Sequence, residues 1–308
     1  MRWIAMVTSQ NKYPRDMIGY GGNLPNIEFP GNARVAVQFV LNYEEGGENS
    51  ILHGDGASET FLSEIIGASG YEDRHMSMES LYEYGTRAGF WRVHDYFVEQ
   101  NIPLTIFGVG MALERNPEAV RAILKANWEI ACHGYRWIDH QFMPKEVERN
   151  QIAKAMETHL TVTGALPIGW YTGRDSPNTR SLVLDHENIL YDSDSYADDL
   201  PYWVKGPRAP HLIIPYTLDT NDMRFATVQG FNSGEQFFQY IKDAFDVLYE
   251  EGEKTPKLLN IGLHSRIIGR PARFKALKKF VSYIKLKPNV WICKREDIAH
   301  HWYENHQP

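Results

Sequence analysis

The sequence predicts an α/β protein, a (β/α) barrel of seven or eight parallel strands in a single domain spanning 1–308. Three observations lead there. Short apolar runs alternate with helical periods from residue 33 onward, and such alternation builds parallel strands with helices outside. No Gly-x-Gly-x-x-Gly opens a helix after the first strand and no Walker motif occurs, so a nucleotide-binding open sheet has no support. Chemically apt polar residues follow strand after strand, where a barrel gathers its βα loops.

Residues 1–32 carry Pro14, Pro25, Pro30 and several glycines, and read as an extended N-terminal arm. Strands are expected at 33–41, 102–109, 128–132, 167–171, 189–192, 211–215, 258–264 and 290–293, each a short apolar run. Helices are expected between them. The first, 81–100, lines up Leu81, Tyr84, Ala88 and Trp91 near one face. The second, 114–127, has Pro117 in its first turn, where a missing N–H costs nothing. The third, 145–162, begins after Pro144 and stops at Gly164. Four more follow at 178–187, 234–250, 271–284 and 297–305. Residues 42–58 are rich in Gly, Glu and Asn, and a loop of that length inside a compact domain is usually functional. Its 46–56 part is expected to cover the site.

Composition narrows the function. The chain has 308 residues, 43% hydrophobic and 23% charged, with a formal charge of -7 and no basic patch. That balance argues against nucleic acid and anionic membrane as partners and leaves a small molecule. A chain of this size buries roughly three quarters of its unfolded surface, so it needs no disulfide or metal to fold. Cys132 and Cys293 are the only cysteines, and each ends an apolar run, as in a reduced protein. No window approaches the ~18 apolar residues of a membrane span. The opening residues lack the roughly 7–15 apolar residues of a signal peptide, so the cytoplasm is the expected location. Eight tryptophans and 17 tyrosines are many for one monomer's core, and a homo-oligomer is expected.

The strand ends supply the chemistry. The first gives Asn42, Tyr43, Glu44 and Glu45; the third gives His133; the fourth gives Thr172 and Arg174. The fifth gives Asp192, Ser193 and Asp194, and the seventh gives His264, Ser265 and Arg266. Any one of these alone reads as a solvated loop or a satisfied core group. Together they offer a general acid, a general base and an anion or oxyanion clamp on one rim. Four residues after His133, where a second imidazole would complete a metal-binding pair, stands Trp137, whose indole has an N–H donor and no lone pair to ligate with. His140 is seven residues on. On a helix that is a rise of about 10.5 Å, too far for both imidazoles to reach one ion at about 2.0 Å. A loop would bring them together, which leaves a divalent ion open on spacing alone.

These motifs resemble the polysaccharide deacetylase (NodB-like) superfamily and, within it, the cofactor-independent bacterial allantoinases, over about Tyr13 to Trp302. The superfamily's Thr-Phe-Asp-Asp-Gly is matched by Asn42-Tyr43-Glu44-Glu45-Gly46, and its His-Ser/Thr-x-x-x-His by His133-Gly134-Tyr135-Arg136-Trp137. Its arginine motif is matched by Gly173-Arg174 and its late histidine motif by Leu263-His264-Ser265. The segments starting at Tyr13, Asn42 and Ile267 look like the allantoinase branch. The resemblance implies a distorted barrel of about seven strands, a homotetramer, and opening of the hydantoin ring of allantoin to allantoate in purine and ureide catabolism. It implies Glu44, Glu45, His133 and His264 as catalytic, and Asn42, Trp137, His140, Arg174 and Ser265 as substrate-binding. Superfamily deacetylases hold zinc or a similar ion with one Asp and two His. Here Glu stands at the Asp position and Trp137 at the second His, so no cofactor is expected. Two other readings stand beside this one: a metal-dependent deacetylase of N-acetylated sugar polymers, and a catalytically inactive barrel that binds a ureide or sugar.

Overall fold

The computed structural model describes residues 13–308; the opening stretch read for a signal lies outside them. The strand Val35–Tyr43 (β1) is buried along its whole length. Its near-continuous apolar run is what a parallel strand covered on both faces requires. Around it lie β2 (Thr105–Gly108), β3 (Glu129–Cys132), β4 (Gly169–Trp170), β5 (Tyr191–Asp192), β6 (Tyr202–Val204), β7 (His211–Ile213), β8 (Lys257–His264) and β9 (Val290–Ile292). All eight expected strands are present. The ninth, β6, is half-exposed, three residues long and antiparallel to β7.

The sheet runs β6-β7-β5-β4-β3-β2-β1-β8, with β9 also on β1. Along one edge β1 takes β8 from Val35 to Asn42; along the other it takes β9 at Val35–Val37 and β2 at Val40–Tyr43. The outer strands β6 and β8 form no ladder with each other among the described residues. Single hydrogen bonds span that gap, from Leu258 N–H to the Asp199 carbonyl (3.0 Å) and from Gly262 N–H to that of Thr220 (3.1 Å). The result is a curled, distorted barrel with helices outside.

Those helices are α1 (Met76–Tyr84), α2 (Phe90–Glu99), α3 (Gly110–Arg115), α4 (Pro117–Lys125), α5 (Lys145–Thr163), α6 (Thr179–Val183), α7 (Gly234–Glu251), α8 (Ser265–Ile268), α9 (Pro271–Ile284) and α10 (Arg295–Asn305). Three expected segments differ from the sequence reading, and α8 is an addition to it. The segment expected at 81–100 starts at Met76 and is interrupted by a π turn, Gly85–Gly89. The segment expected at 114–127 is two helices, because Asn116 leaves helical geometry and its Oδ1 caps Ala119 N–H at 3.1 Å. The helix expected at 178–187 is only five residues long.

Inside the barrel sits a polar plug. Arg295, at the start of α10, is fully buried and donates to Gln38 Oε1 (2.8 Å), Asn260 Oδ1 (2.6 Å), Ser193 Oγ (2.9 Å) and the Pro215 carbonyl (2.9 Å). It ties β1, β8 and the segments after β5 and β7 together, and satisfies the donors that burial would otherwise strand. Cys132 and Cys293 are buried and unpaired. The described part of the N-terminal arm is largely exposed up to Glu28, and Tyr20 donates to the Pro201 carbonyl at 2.5 Å. No helix of the described residues is long and apolar enough to cross a membrane.

Candidate active site

The register of β1 sets the site. Asn42 lies level with Phe107 of β2 and with His264 at the end of β8. The residues that follow, Glu44 and Glu45, therefore rise beside His133, which leaves β3 one residue after Cys132. All four expected catalytic residues are buried and meet here.

Glu44 is the centre. Its Oε1 faces His133 Nε2 at 3.3 Å and His264 Nε2 at 3.6 Å, and its Oε2 accepts from Arg266 Nη2 at 2.7 Å. Burial alone would push this carboxyl up. The guanidinium and the two imidazoles outweigh it and hold Glu44 well below the usual carboxylate range. Glu45 accepts from the backbone N–H of Arg266 (3.1 Å) on one oxygen and from that of Glu44 (3.2 Å) on the other. Burial pushes its carboxyl up against the pull of Arg266, and the neighbouring Glu44 charge adds to the rise. Glu48, buried close by, is pushed up to about 7, chiefly by burial.

Both imidazoles are fixed from behind. His133 Nδ1 lies 2.8 Å from the Tyr171 carbonyl, and since a carbonyl only accepts, Nδ1 carries the hydrogen and Nε2 is turned to Glu44. The ring stacks on Tyr171. His264 Nδ1 lies 2.6 Å from Asp222 Oδ1, and the other oxygen of Asp222 accepts from the N–H groups of His264 (2.8 Å) and Ile268 (2.9 Å). A carboxylate locked by two backbone donors thus aims His264 Nε2 into the site. Such a His–Asp pair is a proton-transfer device.

The remaining expected residues divide. Arg174 lies over the Trp137 ring, its guanidinium carbon 3.9 Å from the ring centre, with Nη2 3.9 Å from Glu59. Its loop is held by Asp194, which accepts from the N–H groups of Thr172 and Gly173, both at 2.8 Å. Trp137 is only 5% exposed, stacked by Phe61 at 6.0 Å. Phe61 and Arg174 line the adjoining cleft together with Asn49, Glu59, Thr60, Asp139, Gln141 and Asp175. The flat surface presented there is therefore Phe61 and the Arg174 guanidinium, with Trp137 behind them. Asn42 Nδ2 donates to Tyr216 (2.9 Å) and to the Leu263 carbonyl (3.0 Å), fastening the rim from within. Ser265 is fully buried, and its Oγ has no hydrogen-bond partner among the described residues.

Among the described residues, no contact brings His140 to the Glu44 cluster. Its Nδ1 faces Glu148 of α5 at 3.2 Å, and its N–H donates to the Arg174 carbonyl at 2.9 Å. It braces the arginine loop. The 46–56 loop is tied down from one side chain at both ends. Arg136 binds Asp55 through both terminal nitrogens (2.8 and 2.5 Å) and the Glu48 carbonyl (2.8 Å), so the loop is an anchored wall.

Sequence reading leaves Asp222 and Phe61 unassigned, and places Arg266 at a strand end without a role. Arg266 follows His264 closely enough to be suspected. Asp222 stands in a short 3-10 turn with no period, and only Asn221, which caps that turn, marks the spot.

The side chains around Glu44 Oε2 do not suit a divalent ion. Trp137 cannot ligate. Arg266 already provides the positive charge against Glu44 Oε2, and a metal placed there would be repelled by it. Among the described residues no group of three or more His, Cys, Asp or Glu side chains is arranged to hold a metal.

Comparison with known proteins finds relatives that match nearly the whole chain. The Polysaccharide deacetylase family matches residues 72–182. A Schizosaccharomyces pombe protein named provisionally as a polysaccharide deacetylase is 42% identical over 95% of this chain and 98% of its own. Among solved structures, Puue allantoinase is 57% identical, with a TM-score of 0.95 over 96% of this chain and 99% of that one. A "probable Polysaccharide deacetylase" from Pseudomonas aeruginosa is 59% identical, with a TM-score of 0.93 over the same shares.

Proposed function

The chain belongs to the polysaccharide deacetylase superfamily, and from that premise we propose that it is an allantoinase, hydrolysing the cyclic amide of allantoin to allantoate. The observation that carries the reading is the Glu44 oxygen flanked by two imidazole Nε2 atoms, one of them backed by a locked carboxylate. Similarity to Puue allantoinase over nearly the whole chain supports the substrate.

His264 Nε2 takes a proton from a water held against Glu44, and Asp222 stabilises the imidazolium that forms. The water oxygen bonds to the ring carbonyl carbon. The ring C–N bond then breaks and the leaving nitrogen takes the proton back from His264, giving a ureido group and a carboxylic acid that releases its remaining proton to solvent as the carboxylate. That nitrogen's developing charge is shared with the neighbouring carbonyl, so it needs less electrophilic help than the amine released from an acetamide. His133 and Glu44 orient the water, and Arg174 at the cleft receives a carbonyl or the product carboxylate. No cofactor is assigned. The enzyme is read as a cytoplasmic homo-oligomer, a tetramer by resemblance.

Turnover of allantoin set against a panel of N-acetylated sugars tests this. Allantoin alone is expected to be hydrolysed, with activity retained after exhaustive chelation. Deacetylation of the sugars, with stoichiometric zinc and activity lost on chelation, would establish the metal-dependent alternative. Binding of allantoin with no turnover would leave a binding protein.

A further inference from the structure

Resting on the reading of Glu44 as the charged centre of the site, we infer that Arg266 is the positioning residue that fixes both the ionisation and the aim of Glu44. Two adjacent carboxylates, Glu44 and Glu45, are buried to 1% and 3% exposure. Burial and mutual repulsion both favour the protonated forms of such a pair, so holding one of them ionised requires a matched cation. Arg266 supplies it from α8, immediately beyond the strand whose register faces β1.

Every edge of this guanidinium is engaged. Nη2 reaches Glu44 Oε2 at 2.7 Å, Nη1 reaches Glu45 Oε1 at 3.4 Å, and Nε donates to the Leu62 carbonyl at 3.0 Å. The Tyr82 ring centre lies 4.2 Å and the Trp137 ring centre 5.4 Å from its central carbon. A planar fork held on its edges and stacked on a ring cannot follow a moving partner; its partners settle against it. By occupying Oε2 it leaves Oε1 as the oxygen facing both imidazoles. The other groups around Glu44 are His133 after β3, His264 after β8, Glu45 on the same strand end, Glu48 in the following loop, Tyr82 of α1 beyond the guanidinium, and Asp222 behind His264. The opposite displacements of the two carboxyls, Glu44 down and Glu45 up, agree with a fork that pairs more closely with the first.

The test is a carboxyl titration by NMR on protein carrying 13C at the glutamate side-chain carboxyl, with Glu44→Gln and Glu45→Gln identifying the two signals. In the wild type Glu44 is expected to stay ionised below the ordinary carboxylate midpoint of about 4.3. In Arg266→Gln its midpoint is expected to rise by about two pH units. A folded Arg266→Gln protein whose Glu44 titrates as in the wild type overturns the inference. Should that variant not fold, Arg266→Lys carries the test. A single ammonium keeps the charge but cannot span both glutamates, so Glu44 is expected to hold within about one pH unit while Glu45 rises. Wild-type titration of both carboxyls in the lysine variant overturns the inference equally. The titration uses no substrate, so its outcome is independent of whether allantoin is turned over.

Discussion

Replacing His264 by alanine is expected to lower kcat on allantoin by about 10²- to 10⁴-fold, the usual worth of one positioned proton-transfer group. The size of the effect follows from how much of the site is organised to aim this one ring. Asp222 uses one oxygen for His264 Nδ1 and the other for the N–H groups of His264 and Ile268, so ring and backbone are set together. His133, the other imidazole facing Glu44, spends its Nδ1 hydrogen on the neutral Tyr171 carbonyl and has no second carboxylate on that side, so only His264 has an Asp behind it. KM is expected to change much less than kcat, because Arg174 and Phe61, which line the cleft, are untouched. Asp222→Asn keeps the shape but removes the charge, and is expected to fall between wild type and the alanine variant. If kcat of His264→Ala stays within a few-fold of wild type, His264 does not move the proton and Glu44 is the better candidate.

Much of this site is legible in the sequence because a barrel writes its chemistry at strand ends. Glu44, Glu45, His133 and His264 each follow a buried run, and once β1 is in register with β8 they can only converge. What escapes the sequence is whatever depends on a partner distant along the chain. Asp222 lies 42 residues before its histidine and in no regular strand. His140 could stand beside His133 only if the loop between them folded back, yet its partner Glu148 is on the following helix and turns it away. The fold divides the same way. Long apolar runs become strands as expected, whereas β6, with three half-exposed residues just after Pro201, has too little pattern to read. The π turn is invisible for another reason. Gly85-Thr86-Arg87-Ala88-Gly89 looks like a weak helical stretch, and its glycines acquire meaning only from the groups packed against them.

That packing predicts the second large effect, for Gly85→Ala. A Cβ built on Gly85 would lie 2.2 Å from Glu45 Oε1, 2.6 Å from its Cδ and 2.7 Å from its Cγ. Real carbon and oxygen atoms do not approach so closely, so Glu45 must give way. It cannot rotate freely, since its two oxygens accept from Arg266 N–H and Glu44 N–H, and moving it would leave a buried carboxylate without donors. Overpacking of this kind costs about 1–3 kcal/mol. The cost opposes the gain of about 0.5–1 kcal/mol that alanine normally brings over glycine inside a helix. The net expectation is a protein that folds with reduced stability in urea. Displacing Glu45 by about 1 Å also pulls on the Glu44 N–H that it accepts from, and misplacement of Glu44 on that scale costs on the order of 10²-fold in kcat/KM. Gly56→Ala is the control, because a Cβ there meets nothing within 4 Å and is expected to leave stability and activity unchanged. A Gly85→Ala protein as active as wild type, or more stable, would mean that the glutamate pair has slack, and that the π turn does not press Glu45 against Arg266.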